Sequence, residues 1–361
     1  MRLSKKNLSD LSRGAAFLGT GGGGDPYIGR LMVEQAIKNG HEVEIIDPTE
    51  IPDDCLVIPT AMMGAPTVLI EKIPKGDEAC VSLKKLENFL GKKAFATMPI
   101  EIGGINSTIP LVVGASLNLP VIDADGMGRA FPELQMETFG VYGVSGTPMV
   151  ITNERGETAL IETKNNEMME WLARGVTIRM GGASYIAEYP MTGAEVKRTS
   201  IPNTLTLAIK LGECIREARE NHLNPFQEII NFLPKTPYSF GKIIFRGKII
   251  DIFRETQSGF AKGKAKIEGI GEWKNIMEIE IQNENLIAKV NGKIKAMVPD
   301  LICIFETETA EPLTTETLRY GQRVTVMGVS VPKIMKTKEA LEVFGPQAFG
   351  IKEEFISIED L

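Results

Sequence analysis

Apolar residues in the first part of the chain follow two rhythms. Some run together over a few positions, as in buried strands. Others recur at three- and four-residue spacing, as on helix faces. The pattern predicts a short helix over Asn7 to Arg13 and a short strand at Ala15-Ala16-Phe17-Leu18. A helix over about 26–39 follows, with Asp25 as N-cap, Pro26 at its first position and Gly40 beyond its end. Strands are expected at about 42–47 and 55–60, then a helix at about 78–90 carrying Leu83, Leu86, Phe89 and Leu90 on one face and ending at Gly91. Ala94 to Thr97 reads as a buried strand, Ser107 to Leu117 as a helix and Val121-Ile122-Asp123 as another strand. This order implies an α/β domain over 1–165, with a mainly parallel sheet and helices on both faces.

Farther along, Met149 to Thr152 and Thr158 to Ile161 read as a hairpin around Asn153-Glu-Arg-Gly156. Helices are expected at about 166–174, 203–220 and 225–232, so 166–237 forms a mixed connection. From about 238 the rhythm becomes β. Strands are predicted at Lys242 to Phe253, Gly263 to Ile270, Met277 to Gln282, Leu286 to Val290, Ile294 to Val298, Ile302 to Glu306 and Arg323 to Val329. Polar turns such as Asn283-Glu-Asn285 and Asn291-Gly292 separate them, so 238–361 reads as an all-β, barrel-like domain.

Composition narrows the function classes. A net charge of −7, with scattered Lys and Arg and no interleaved aromatic platform, argues against nucleic-acid binding. No stretch reaches the 18 or so apolar residues of a membrane span, and Met1 to Lys6 opens no signal peptide. A soluble cytoplasmic protein is expected. The 4 cysteines form no C-x-x-C pair and there are only 2 histidines, which disfavours a His-rich zinc site, a Ser-His-Asp triad and a Cys-His dyad. Chemistry is left to carboxylates, amides, hydroxyls and backbone.

Gly19-Thr-Gly-Gly-Gly-Gly24 before Asp25-Pro26 is the most unusual stretch. A glycine turn entering a helix N-terminus can present N–H groups to an anion. Gly19, Gly21 and Gly24 also fit G-x-G-x-x-G, with Asp47 where a ribose-binding acid would stand. The plainer reading is a tight turn with Asp25 as a cap. In an α/β sheet, ligands bind beyond the carboxyl ends of the strands. Four loops lie there: Gly19 to Asp25, Pro59 to Pro66, Met98 to Ser107 and Asp123 to Glu133. Asp25, Glu101, Asp123 and Asp125 are the candidate catalytic residues. Gly21, Gly22, Gly23, Gly64, Gly104, Asn106 and Arg129 are the candidate substrate-binding ones. Asp123 and Asp125 point to one face unless the strand bends, and such a pair can bind a metal or divide into acid and base. Each acid also has a structural reading, as a loop residue, a cap or a partner of Arg129. Asn106 equally reads as an N-cap.

The chain resembles a bacterial and archaeal family long labelled as a domain of unknown function, which includes S-methyl thiohydantoin desulfurase. Its genes often lie near hydantoinase/oxoprolinase-type enzymes. The resemblance rests on Leu18-Gly-Thr-Gly-Gly-Gly-Gly-Asp-Pro-Tyr27-Ile-Gly29, Gly64-Ala-Pro66 with Glu71-Lys72, Glu101-Ile-Gly-Gly-Ile-Asn106 and Asp123-Ala-Asp-Gly-Met-Gly-Arg-Ala-Phe-Pro-Glu133-Leu-Gln-Met136. Gly259-Phe260, Gln282-Asn-Glu-Asn285, Pro299-Asp-Leu-Ile302, Thr315-Glu316, Arg319-Tyr-Gly321 and Gly345-Pro-Gln-Ala-Phe-Gly350 extend it to nearly the whole chain. It implies an N-terminal α/β domain and a C-terminal β domain of barrel type. The function expected is hydrolysis of a small cyclic amide or imide-like ring, carboxylate-based and open to assistance by a divalent metal. The alternatives are a nucleotide- or phosphate-binding protein and a non-catalytic partner of a hydantoinase-type enzyme. A homo-oligomer is expected.

Overall fold

A computed structural model of the chain describes residues 1–64, 68, 75–257 and 260–361. Pro66, Glu71, Lys72 and Gly259, named above, lie outside these residues. The first helix, Lys5–Leu18, is longer than its predicted core and absorbs Ala15 to Leu18. The glycine turn therefore follows a helix, not a strand, and the dinucleotide-binding order of strand, turn and helix is absent. Apolar runs this short do not separate strand from buried helix. Leu8, Leu11, Ala15 and Leu18 recur at helical spacing on a buried face, and that longer rhythm decides the outcome.

The first helix packs antiparallel against Thr204–Glu220 at van der Waals distance. Glycines make this possible: a Cβ on Gly14 would lie 1.8 Å from the Ala208 carbonyl oxygen, and one on Gly212 would lie 1.9 Å from that of Asp10. Among the described residues, parallel pairing is limited to short stretches. Ile45–Ile46 pairs with Val121–Ile122, Thr97 bridges to Val121, and Ala96 bridges to Val57. The larger N-terminal sheet is antiparallel, in the order Thr60–Gly64, Ala183–Ala187, Met149–Thr152, Thr158–Ile161. The expected mainly parallel sheet is thus replaced by a small parallel patch beside an antiparallel sheet. Strand-length patterns alone do not encode pairing direction.

Helices cover both faces of that antiparallel sheet. Met62, Val150 and Tyr185 join a core with Cys80, Leu83 and Leu86 of the helix Glu78–Leu90. Ala61, Met63, Ile151 and Ile186 face the opposite core, which holds Met169 and Ala173 of the helix Asn166–Arg179. The period-2 alternation of a strand buried on both sides produces this division. The hairpin at 149–161 forms as predicted.

All seven predicted C-terminal strands are present and join one antiparallel sheet. Its order is Lys293–Met297, Glu284–Val290, Ile276–Gln282, Phe260–Gly269, Gly241–Gln257, Arg323–Val329, Leu301–Glu306. Its two ends approach each other, and the Asn285 amide donates to the Ile302 carbonyl at 2.8 Å. Among the described residues, no helix is long and apolar enough to cross a membrane.

Candidate functional site

The glycine turn lies in the seam between the N-terminal loops and the C-terminal sheet. A Cβ on Gly22 would stand 2.0 Å from Glu284 Oε1, and one on Gly104 would stand 2.1 Å from the Gly23 carbonyl oxygen. The backbone is pinned on both sides. The Gly23 carbonyl accepts from the Ile105 N–H at 2.8 Å, the Thr20 carbonyl from Asn285 at 2.9 Å and the Gly21 carbonyl from Thr315 at 2.7 Å. Four successive glycines thus permit a close passage between two other pieces of chain.

A small cavity of about 50 Å³ opens at this seam. Each of the four stretches singled out in the sequence reaches it, through Gly23, through Met62 to Gly64 (here the end of a strand), through Glu101 and Asn106, and through Met127 and Phe131 to Glu133. Asn283 and Glu284 close it from the C-terminal sheet, and Arg174 from the helix Asn166–Arg179.

Glu101 is buried in its wall. Its Oε1 accepts from the Asn106 amide at 2.7 Å and its Oε2 from the Phe131 N–H at 3.2 Å. Burial nevertheless pushes its carboxyl up to about 8, and the nearby Asp125 charge adds to the rise. Asn106 is fully engaged: besides Glu101, it accepts from the Met62 N–H at 2.7 Å and donates to the Met62 carbonyl at 3.0 Å. It is a bracket joining the Glu101 loop to the strand Thr60–Gly64, and caps no helix. The turn Gly104–Ser107 around it is 3-10, and the α-helix starts at Ile109.

Glu284 faces the cavity from the other half of the chain. One of its carboxyl oxygens has no protein partner among the described residues, and the group is buried. Burial holds its carboxyl well above the ordinary range, with Glu101 raising it further and Arg129 pulling it down. Composition and spacing did not single it out, because Asn283-Glu-Asn285 has the look of a solvated turn. In the fold Asn283 alone makes the turn, at φ 57°, and Glu284 already begins the next strand.

The other candidates sit apart from the cavity lining. Asp25 caps the helix Pro26–Lys38, accepting from the Tyr27 N–H at 2.8 Å. The chain bends at Asp123, so Asp123 and Asp125 part company. Asp123 caps Thr204–Glu220 through the Thr206 N–H at 3.1 Å and the Thr206 hydroxyl. Asp125 gathers the N–H groups of Ile102, Met127 and Gly128 on one oxygen, at 2.8, 3.2 and 2.7 Å. Burial pushes it up to about 7. It braces the loops that carry Glu101 and Met127. Arg129 is fully buried and, among the described residues, donates only to carbonyl oxygens, including those of Pro299 at 2.8 Å and Asp300 at 3.1 Å. It ties the fourth loop to the C-terminal sheet. Asp47 caps the turn Pro48–Glu50 through Thr49.

Two further acids escaped the sequence reading. Glu137 and Glu188 are fully buried, and none of their four carboxyl oxygens has a protein partner among the described residues. Burial and mutual repulsion hold Glu137 far above the ordinary range, and burial and Glu170 do the same for Glu188. Among the described residues no group of three or more His, Cys, Asp or Glu side chains is placed to hold a metal ion.

Residues 6–163 match the N-terminal domain, and residues 164–358 the C-terminal domain, of the S-Me-THD-like family. No curated protein matches the chain. A crystal structure of a protein from Chromobacterium violaceum shares the fold, with a TM-score of 0.81 at 22% identity over 99% of this chain and 100% of that one.

Proposed function

The chain belongs to the S-Me-THD-like family, and from that premise we propose that it hydrolyses a small five-membered cyclic amide or imide-like ring of the hydantoin or S-methyl thiohydantoin type. One observation carries the reading: Glu101 and Glu284, one from each family domain, line the same cavity with raised carboxyl pKa values. Two carboxyls whose environments differ divide into acid and base. Glu101 keeps two N–H donors, which favour and orient its ionised form, so it is the base that takes a proton from water. Glu284 keeps an unpartnered oxygen and stays protonated, so it is the acid. Water oxygen bonds to the ring carbon, the bond from that carbon to the leaving nitrogen or sulfur breaks, and Glu284 supplies the proton the leaving atom needs. Glu101 returns its proton to Glu284 by way of solvent.

The test is an assay of hydantoin, S-methyl thiohydantoin and 5-oxoproline analogues with and without divalent metal, with products identified by mass. A gain of one water, or release of methanethiol from the S-methyl substrate, is the expected result. Folded protein that turns over none of them would overturn the reading.

A further inference from the structure

The cavity at Glu101, about 50 Å³, is too small to enclose a whole substituted ring-type ligand of ordinary site volume. A second space of about 1090 Å³ adjoins it and shares Glu133 and Arg174 with it. Ligand sites usually measure about 300–1,000 Å³ and are mostly apolar with a few fixed polar groups. The larger space lies just above the top of that range and is mainly apolar, whereas the smaller one falls far below it.

Glu133 and Arg174 stand at the border between the two spaces, and Arg174 is firmly held. Arg174 donates to Glu170 at 2.6 Å and to the Pro132 carbonyl at 2.7 Å, while its guanidinium lies 4.5 Å from the centre of the Phe260 ring. Glu170 in turn accepts from the Leu134 N–H at 3.0 Å. The loop bearing Phe131 to Leu134 is therefore clamped to the helix Asn166–Arg179, and the two spaces keep a fixed relation. On the cleft side the walls are apolar: Trp171, Leu172, Val176, Ile178, Met180 and Phe260. Trp171 is 70% exposed and Ile178 49% exposed, which is costly for side chains this large unless something covers them. Charged neighbours of both signs, including Arg155 and Glu157, stand around these walls, so no single charge on a ligand is favoured.

We infer that the cleft is the subsite for an exocyclic substituent of the ring, an aromatic or branched aliphatic group packed on Trp171 and Ile178, while the ring edge reaches Glu101 past Arg174. This rests on the ring-hydrolase reading and adds the substrate class: 5-substituted rings with large apolar side chains. Trp171 becomes the specificity-determining residue.

Binding tests this separately from turnover. The chain has 2 tryptophans, Trp171 and Trp273, and Trp273 packs on Phe245, so quenching of Trp171 is read against the Trp171→Phe variant. Titration with 5-benzyl- and 5-methylhydantoin is expected to show at least tenfold tighter binding of the benzyl compound. The ratio should collapse in Trp171→Ala and recover in Trp171→Phe, measured by calorimetry. Equal binding of the two hydantoins, or a preference that survives Trp171→Ala, overturns the subsite and leaves the carboxylate reading standing if unsubstituted hydantoin is still hydrolysed. A change of molecular mass on Trp171→Ala with no hydantoin bound would show that a second copy of the chain covers the cleft, which also overturns it. Binding of no hydantoin at all overturns both readings.

Discussion

Glu101 and Asp125 owe their properties to burial, and the sign of the shift sets what they do with pH. Glu101 has a carboxyl near 8, so its basic form appears as pH rises toward that value. Hydrolysis is expected to rise with pH along a limb centred near 8. Asp125→Asn removes a neighbouring negative charge, so that limb should move to lower pH in a pH–rate profile. An unmoved limb would show that another group governs it. Glu137 and Glu188 pose a sharper case. Two adjacent carboxylates without a cation or donor cannot both stay ionised in a low-dielectric interior. A protonated-carboxyl C=O band is therefore expected in the infrared spectrum at pH 7, weakened in Glu137→Gln and again in Glu188→Gln. A band left unchanged by both substitutions would mean that the pair is neutralised by something other than protons.

At the level of the elements, the glycine turn shows how a local signal acquires its meaning from distant contacts. Its unusual composition was legible in the sequence, and so was the convergence of four loops. The partner that explains Gly22 was not, because Glu284 lies far along the chain behind a polar turn. The helix over 5–18 was masked by the brevity of Ala15 to Leu18, and the direction of strand pairing was set by packing and not by strand pattern. Two alanine substitutions separate the roles of these glycines. In Gly22→Ala the new Cβ meets the flexible end of Glu284, so activity should fall at least tenfold with little change in unfolding midpoint. In Gly104→Ala it meets the Gly23 backbone at a φ of 62°, so stability should fall by about 1–3 kcal/mol in urea titrations. The reverse ranking would remove Glu284 from the site.

Over the whole molecule, the two matched family domains are not independent. The strand Ala183–Ala187 lies between Thr60–Gly64 and Met149–Thr152 in one sheet, and the largest core joins Phe17 to Phe305. The seven-stranded sheet was readable from its regular strands and turns, whereas this shared sheet was not, since its members are widely separated in sequence. A single cooperative unfolding transition is expected by calorimetry, and two resolved transitions would contradict it. The buried acids also tilt its pH dependence. Glu101 and Asp125 hold protons in the native state that the unfolded chain releases in the ordinary carboxylate range. Their contribution is fully present below that range and is lost as pH rises through 7 and 8, at up to about 1.4 kcal/mol per pH unit for each group. The urea midpoint should therefore be lower at pH 8 than at pH 5.

All of this converges on the pair of carboxyls that meet across the seam. The most direct test is the rate of ring hydrolysis by the intact chain, by Glu101→Gln and by Glu284→Gln, with folding checked by circular dichroism. Each variant is expected to keep its fold and lose at least a hundredfold in kcat, as removal of a general acid or base does. Wild-type rates in either variant would contradict the assignment of these two residues as base and acid.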